Sequence, residues 1–107
     1  MVHVIVTMQV EAGRMAEFRD LAHELAALVR AEAGCLRYEY TVDTPSPLAI
    51  AEPIDDRRVT LIEQWESDAA LAAHTRAPHM KQYGPALAAL RSGAVSARVT
   101  RPLTANE

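Results

Sequence analysis

The order of hydrophobic periodicities along the chain limits the fold more than any other feature of the sequence. Residues 2–10 alternate with a period of two, which is typical of a strand, and residues 14–31 repeat apolar side chains at helical spacing. Strand patterns recur at 35–42, 59–66 and 94–101, and helical patterns fill most of the stretch between the last two. This order predicts a ferredoxin-like α+β fold, βαββαβ, with both helical regions on one face of an antiparallel sheet.

Individual residues mark the ends of these elements. Gly34 follows the first helical pattern and predicts its C-terminal cap, and Ser67 is a favourable N-cap for the second. Pro78 then predicts the first turn of a further helical piece. Pro85 predicts a break or a kink, because proline cannot donate a helical hydrogen bond. Gly93 predicts the end of this helical region.

The chain length of 107 residues suits a single domain over 1–107, with a core of about 2–101 and a tail at 102–107. The connection at 43–58 is long and contains Pro45, Pro47 and Pro53, which exclude it from the interior of a sheet. Its middle, 48–51, is apolar. We therefore expect it to pack over a pocket or against a partner subunit, because exposed apolar stretches are usually covered.

Composition excludes several classes of protein. The formal net charge of −3 gives no basic surface for nucleic acid. No segment approaches the roughly 20 apolar residues of a membrane span, and the first residues lack the basic region of a signal peptide. Cys35 is the sole cysteine, so an internal disulfide is excluded and a reducing cytoplasm is favoured. These features predict a cytoplasmic protein.

Three stretches carry a family resemblance. They are EAG at 11–13, EAGCLRYE at 32–39, and IEQWES at 62–67 followed by Ala70-Leu71, His74 and APH at 77–79. Over residues 2 to about 99 the chain resembles the antibiotic biosynthesis monooxygenase family. The connection at 43–58 is longer than the family's usual loop. Haem-degrading members carry an asparagine late in the first strand, and the match here falls at about Val6, so haem degradation is not expected.

The resemblance implies a homodimer in which two sheets face each other as an α+β barrel. It also implies oxidation of a hydroquinone-like or polyketide phenol to a quinone by O₂, with no cofactor. The partners would then be a second copy of the chain, a small aromatic substrate and O₂. The alternative is a non-catalytic dimer of the same fold that binds a small molecule or serves a housekeeping role.

Glu63 and His74 are the candidate catalytic residues. Glu63 shares a strand face with Leu61 and Trp65, so its carboxylate must find a partner or become neutral. His74 follows Leu71 by three positions and lies on the apolar face of its helix. Glu63 either pairs with an arginine or a backbone group, or lines a pocket with His74. His74 is either a hydrogen-bonded residue at the edge of the core or a general base, a role that its ordinary pKa of about 6.5 permits.

Aromatic residues are the candidates for substrate binding. Trp65 either anchors the following helix in the core or forms a pocket wall that stacks on a planar substrate. Tyr38, Tyr40 and Tyr83 either direct their hydroxyls into the same cavity or pack in the core. We expect His79 to lie at the surface or in an interface.

No metal site is expected. His74 and His79 are five positions apart with a proline between them, which is not the spacing of zinc ligands on one helix. No glycine-rich phosphate loop or dinucleotide motif is present, so no flavin or nicotinamide cofactor is predicted.

Overall fold

The computed structural model describes residues 1–107 and contains four strands and three helices. They are, in chain order, β1 (Val2–Val10), α1 (Met15–Arg30), β2 (Cys35–Val42), β3 (Arg58–Trp65), α2 (Asp68–Thr75), α3 (Pro78–Ala88) and β4 (Arg91–Thr100). The strands pair antiparallel in the order β2-β3-β1-β4, which confirms the predicted ferredoxin-like α+β fold. Within one chain the sheet is open and does not close into a barrel. None of the three helices combines the length and apolar character needed to cross a membrane.

Strand β3 shows how the sequence selects the buried face of the sheet. Its burial alternates along the strand, and every second residue from Val59 to Trp65 is buried. Glu63 is one of these, and it pairs with Val4 of β1 on one side and Tyr38 of β2 on the other. The carboxylate therefore lies in the middle of the sheet, on the face that the helices cover.

Helix α1 packs its apolar stripe on this face. The buried residues of the stripe are Phe18, Ala22, Leu25, Ala26 and Val29. Leu87 of α3 and Leu90 complete the same cluster, which also takes in Trp65. Burial of each large apolar side chain contributes roughly 1.5–3 kcal/mol, so this cluster is the main source of stability.

The connection between α1 and β2 lies close against α2 because of Gly34. This residue has a φ of +83°, and a Cβ atom added to it would lie 2.6 Å from the Cβ of Ala70. Ser67 caps α2 as predicted, since its hydroxyl accepts a hydrogen bond from the backbone N–H of Ala70 at 3.1 Å. The first turn of α2 is thereby held beside residues 31–34.

In the second helical region the predicted break at Pro85 is absent, the alternative of a kink there stays a prediction, and the prediction for Gly93 is wrong. Helix α3 continues through Pro85, which is exposed and lies near the C-terminal end of the helix. Proline has no backbone N–H, so the carbonyl of Lys81 loses its helical hydrogen bond. Lys81 is exposed, so this carbonyl can bond water instead. Gly93 does not end a helix. It lies inside β4 with a φ of +73°, beside a register shift opposite Thr7 and Gln9, as glycine does in a β-bulge.

Candidate active site

A cavity of about 190 Å³ lies between the sheet and the three helices, and all seven elements contribute to its lining. Most of the lining is apolar and includes Val6, whose side chain offers no hydrogen-bonding group. The lining residues with polar or charged side chains are Tyr38, Tyr40, Glu63, His74 and Arg91. Four of the six predicted site residues, Glu63, His74, Tyr38 and Tyr40, therefore line one cavity. The other two, Trp65 and Tyr83, do not line it.

Glu63, Trp65 and His74 form a compact buried group. The indole N–H of Trp65 donates to Oε1 of Glu63 at 2.9 Å, and Nε2 of His74 lies 4.0 Å from that oxygen. The His74 ring packs on the indole, with centroids 4.6 Å apart and planes inclined by 33°. Trp65 is completely buried and is not part of the cavity wall, so it supports the other two residues from behind. The catalytic roles of Glu63 and His74 remain predictions.

The environment of Glu63 favours its protonated form. Burial raises the pKa of Glu63, and the nearby Glu32 carboxylate raises it further, while the hydrogen bond from Trp65 and the charge of His74 lower it in part. Burial is the largest of these effects. The carboxyl group of Glu63 therefore holds its proton to a higher pH than an ordinary glutamate does.

Glu32 is a site residue that the sequence reasoning missed. It lies in the connection between α1 and β2, and its Oε2 is 2.9 Å from Nδ1 of His74 and 2.7 Å from Nε2 of His79. An ionised carboxylate only accepts hydrogen bonds, so Nδ1 of His74 must donate. In neutral His74 the lone pair is then on Nε2, the nitrogen nearer Glu63. The only signal in the sequence was that Glu32 begins the second stretch of the family resemblance.

His79 was expected at the surface or in an interface, and within one chain it does not lie free at the surface. It is half-buried and bound to Glu32. The donor atoms of Glu32, His74 and His79 all lie within 4.8 Å of one another, and these residues form the group in this chain that could hold a metal ion. The expectation of no metal site was based on the five-residue spacing of His74 and His79, which does not suit two ligands on one helix. That spacing does not apply here, because His74 belongs to α2 and His79 to α3.

The three tyrosines differ in position. The hydroxyls of Tyr38 and Tyr40 lie 3.2 Å apart, and burial raises the pKa of both, so both remain protonated near neutrality. Tyr83 is half-buried and packs against the core but is not part of the cavity wall. Met80, Gly84 and Leu87 of α3 line the cavity instead.

The connection at 43–58 contributes no residue to the cavity. Its ends are fixed by an ion pair between Arg58 and Asp43 at 2.6 Å and by a hydrogen bond from Gln9 to Asp55 at 3.1 Å. Leu48 and Ile50 are 61% and 87% exposed. The prediction that this connection covers the pocket of its own chain is therefore wrong, and contact with a partner subunit remains a prediction.

Comparison with known proteins agrees with this architecture. The chain is 37% identical over 68 residues to the probable quinol monooxygenase YgiN of Escherichia coli K12, and the match covers 64% of each protein. The crystal structure of an antibiotic biosynthesis monooxygenase superposes with a TM-score of 0.82 at 23% identity, over 97% of this chain and 100% of that chain. PA3566 from Pseudomonas aeruginosa superposes with a TM-score of 0.77 at 28% identity, over 96% and 94%.

The family described as antibiotic biosynthesis monooxygenase matches residues 1–86. This region contains all the buried acidic, histidine and aromatic residues described above, from Glu32 to Tyr83. On the extent of this match, the chain belongs to the antibiotic biosynthesis monooxygenase family.

Proposed function

We propose that this protein is a cofactor-independent monooxygenase that oxidises a small quinol or a related phenol with O₂. The observation that carries the proposal is the position of His74. Its Nδ1 is bound to Glu32, its Nε2 lies 4.0 Å from Glu63, and the residue is part of the cavity lining. A buried imidazole that lines a cavity and has one nitrogen fixed by a carboxylate is suited to general-base chemistry.

The size of the cavity supports a small substrate. Its volume of about 190 Å³ is below the roughly 300–1,000 Å³ of sites for drug-sized ligands. The apolar lining suits a flat aromatic ring. A one- or two-ring quinol therefore fits better than a large polyketide, and the name of the Escherichia coli relative supports the same choice.

The chemistry needs a base and a closed, apolar cavity. Direct reaction of triplet O₂ with a closed-shell quinol is spin-forbidden, but the quinol anion can pass one electron to O₂. The resulting radical pair recombines to form a carbon–oxygen bond. One oxygen atom then stays in the product as a hydroxyquinone, and the other leaves as water. The quinol supplies all the electrons, so the balance needs no external reductant.

The residues divide these tasks. His74 Nε2 takes the phenolic proton, a contribution of about 10²–10⁴-fold for a positioned base. Glu32, bonded to Nδ1 at 2.9 Å, stabilises the imidazolium that forms, and Trp65 holds Glu63 and the His74 ring in place. The protonated hydroxyls of Tyr38 and Tyr40 can donate hydrogen bonds to the developing anion.

The test is oxygen uptake by the purified protein with a panel of one- and two-ring quinols, in the presence of EDTA and without added flavin. We expect one O₂ consumed per quinol and one atom of ¹⁸O from ¹⁸O₂ in the product. Hydrogen peroxide with an unlabelled quinone would contradict the proposal, as would the absence of uptake above the spontaneous rate across the panel.

One observation favours the non-catalytic alternative. Every side-chain nitrogen and oxygen atom that is fully shielded from solvent already has a hydrogen-bond partner, so none of these atoms needs a substrate to satisfy it. A protein of this kind would bind quinols without turnover. A rise in melting temperature with a quinol or quinone, together with no oxygen uptake, would favour that alternative.

A further inference from the structure

The proposed base is also part of a cluster with a different chemical capacity. Glu32, His74 and His79 come from the α1–β2 connection, α2 and α3. One carboxylate oxygen faces two imidazole nitrogens at 2.9 Å and 2.7 Å. The exposed fractions of the side chains are 14% for Glu32, 6% for His74 and 18% for His79. The cluster is therefore largely buried, with His79 as its most accessible member.

The donor set is that of a zinc site. Zinc binds imidazole nitrogen and carboxylate oxygen at about 2.0–2.2 Å, and its tetrahedral geometry places neighbouring ligand atoms roughly 3.3–3.6 Å apart. The two observed separations, 2.9 Å and 2.7 Å, are shorter than this range by about half an ångström, so the side chains would move apart slightly to admit the ion. All three ligand atoms lie within 4.8 Å of one another. Three protein ligands leave a fourth position for water.

No cationic side chain competes for the carboxylate. The two histidines are the only ion-pair partners of Glu32, and no arginine or lysine bonds to it. The pairing of a carboxylate with two imidazoles that can both be neutral leaves negative charge in the cluster. A divalent cation would neutralise that charge, and the imidazoles can present their nitrogen lone pairs to it by changing tautomer.

We propose that Glu32 Oε2, His74 Nδ1 and His79 Nε2 form a binding site for Zn²⁺ or a similar transition-metal ion, and that the bound metal inhibits the enzyme. Coordination through Nδ1 requires the His74 proton to move to Nε2. The nitrogen nearer Glu63 then has no lone pair with which to take a proton from a quinol. The inhibition rests on the proposed function, whereas the metal binding does not.

Calorimetric titration of the EDTA-treated and desalted protein with ZnCl₂ tests the binding. We expect one zinc ion per chain, with the affinity reduced by about tenfold or more in both E32Q and H79Q. H23Q is the matched control, because His23 is an exposed histidine on α1, away from the cluster. Circular dichroism confirms that each variant is folded. Equal affinities for wild type and H79Q, or an equal loss in H23Q, would overturn the site.

Oxygen uptake with a quinol tests the inhibition. We expect zinc to suppress the wild-type rate by about tenfold or more and EDTA to restore it. H79Q lacks one of the three ligands, so the ratio of its rates with and without zinc should stay near one, whatever its basal rate. Zinc bound through these three residues to an active enzyme that keeps its full rate would overturn the inhibition. The protein could also bind zinc through these residues and yet be inactive toward every quinol. That result would support the metal site and contradict the proposed function.

Discussion

His74 is the residue on which the proposed chemistry depends most. Its two ring nitrogens lie near two different carboxylates, 2.9 Å from Glu32 and 4.0 Å from Glu63. We predict that H74A lowers kcat for quinol oxidation by about 10²–10⁴-fold, the usual contribution of a positioned base. The measurement is oxygen uptake, with circular dichroism and light scattering to show an intact fold. A folded H74A variant that turns over at the wild-type rate would exclude His74 as the base.

Glu63 should make stability depend on pH. Burial raises its pKa in the folded state above that of the unfolded chain, so the folded protein binds the proton more tightly. The free energy of unfolding contributed by this group is therefore highest below its unfolded pKa of about 4.3 and falls as pH rises through the folded pKa.

Substitution of Glu63 by glutamine removes this titration and keeps an oxygen that accepts from Trp65. We predict that the stability of E63Q relative to wild type increases as pH is raised from about 4 to 7. Urea unfolding at a series of pH values measures the difference. A stability difference that stays constant over this range would show that the pKa of Glu63 is not raised in the folded state.

At the scale of elements, the approach of the α1–β2 connection to α2 decides whether Glu32 reaches His74. Gly34 permits this approach, with its φ of +83° and only 2.6 Å between an added Cβ and the Cβ of Ala70. We predict that G34A destabilises the protein by about 2–5 kcal/mol, from a backbone cost of roughly 1–2 kcal/mol and an overpacking cost of roughly 1–3 kcal/mol.

Gly13 supplies the control for this prediction. It also has a positive φ, +78°, but an added Cβ would meet no atom within 4 Å. G13A should therefore show the backbone cost alone, of about 1–2 kcal/mol. Urea unfolding of both variants isolates the cost of the steric contact. Equal destabilisation of G34A and G13A would show that the connection moves away from α2 without cost.

At the scale of the whole molecule, the sheet face opposite the helices is the surface predicted to form a homodimer. Ile5 and Ile62 are register partners in the centre of this face. Neither is fully buried within one chain, and no helix covers them. Light scattering at micromolar concentration should give twice the chain mass of 11.7 kDa. The I62K variant should shift toward the monomer, because dimerisation would bury its charge. A monomeric wild type would contradict the prediction.

The sequence alone determined the order of the elements and the buried faces of β1 and β3, whereas the face predicted for β4 is exposed. The bounds of β1 and β2 agree with the predicted ranges, because alternating side chains report one-sided burial directly. The same periodicity placed Glu63 and Trp65 on one face, and the apolar face of α2 placed His74 toward them. Gly93 was misread because it was judged by its local preference for ending a helix, whereas a β-bulge accommodates it, and at Pro85 only the predicted break is absent.

Only the tertiary structure decided which of these residues line the cavity and which support it. Trp65 was a candidate wall and lies behind the site, and Tyr83 packs beside the cavity. Glu32 contacts His74 and His79 across 42 and 47 positions of sequence. Periodicity states which side of an element faces the core, but it carries no information on which element lies opposite. The element that lies opposite is decided when helices and strands pack. Here the close contact of Gly34 with α2 brings Glu32 next to His74.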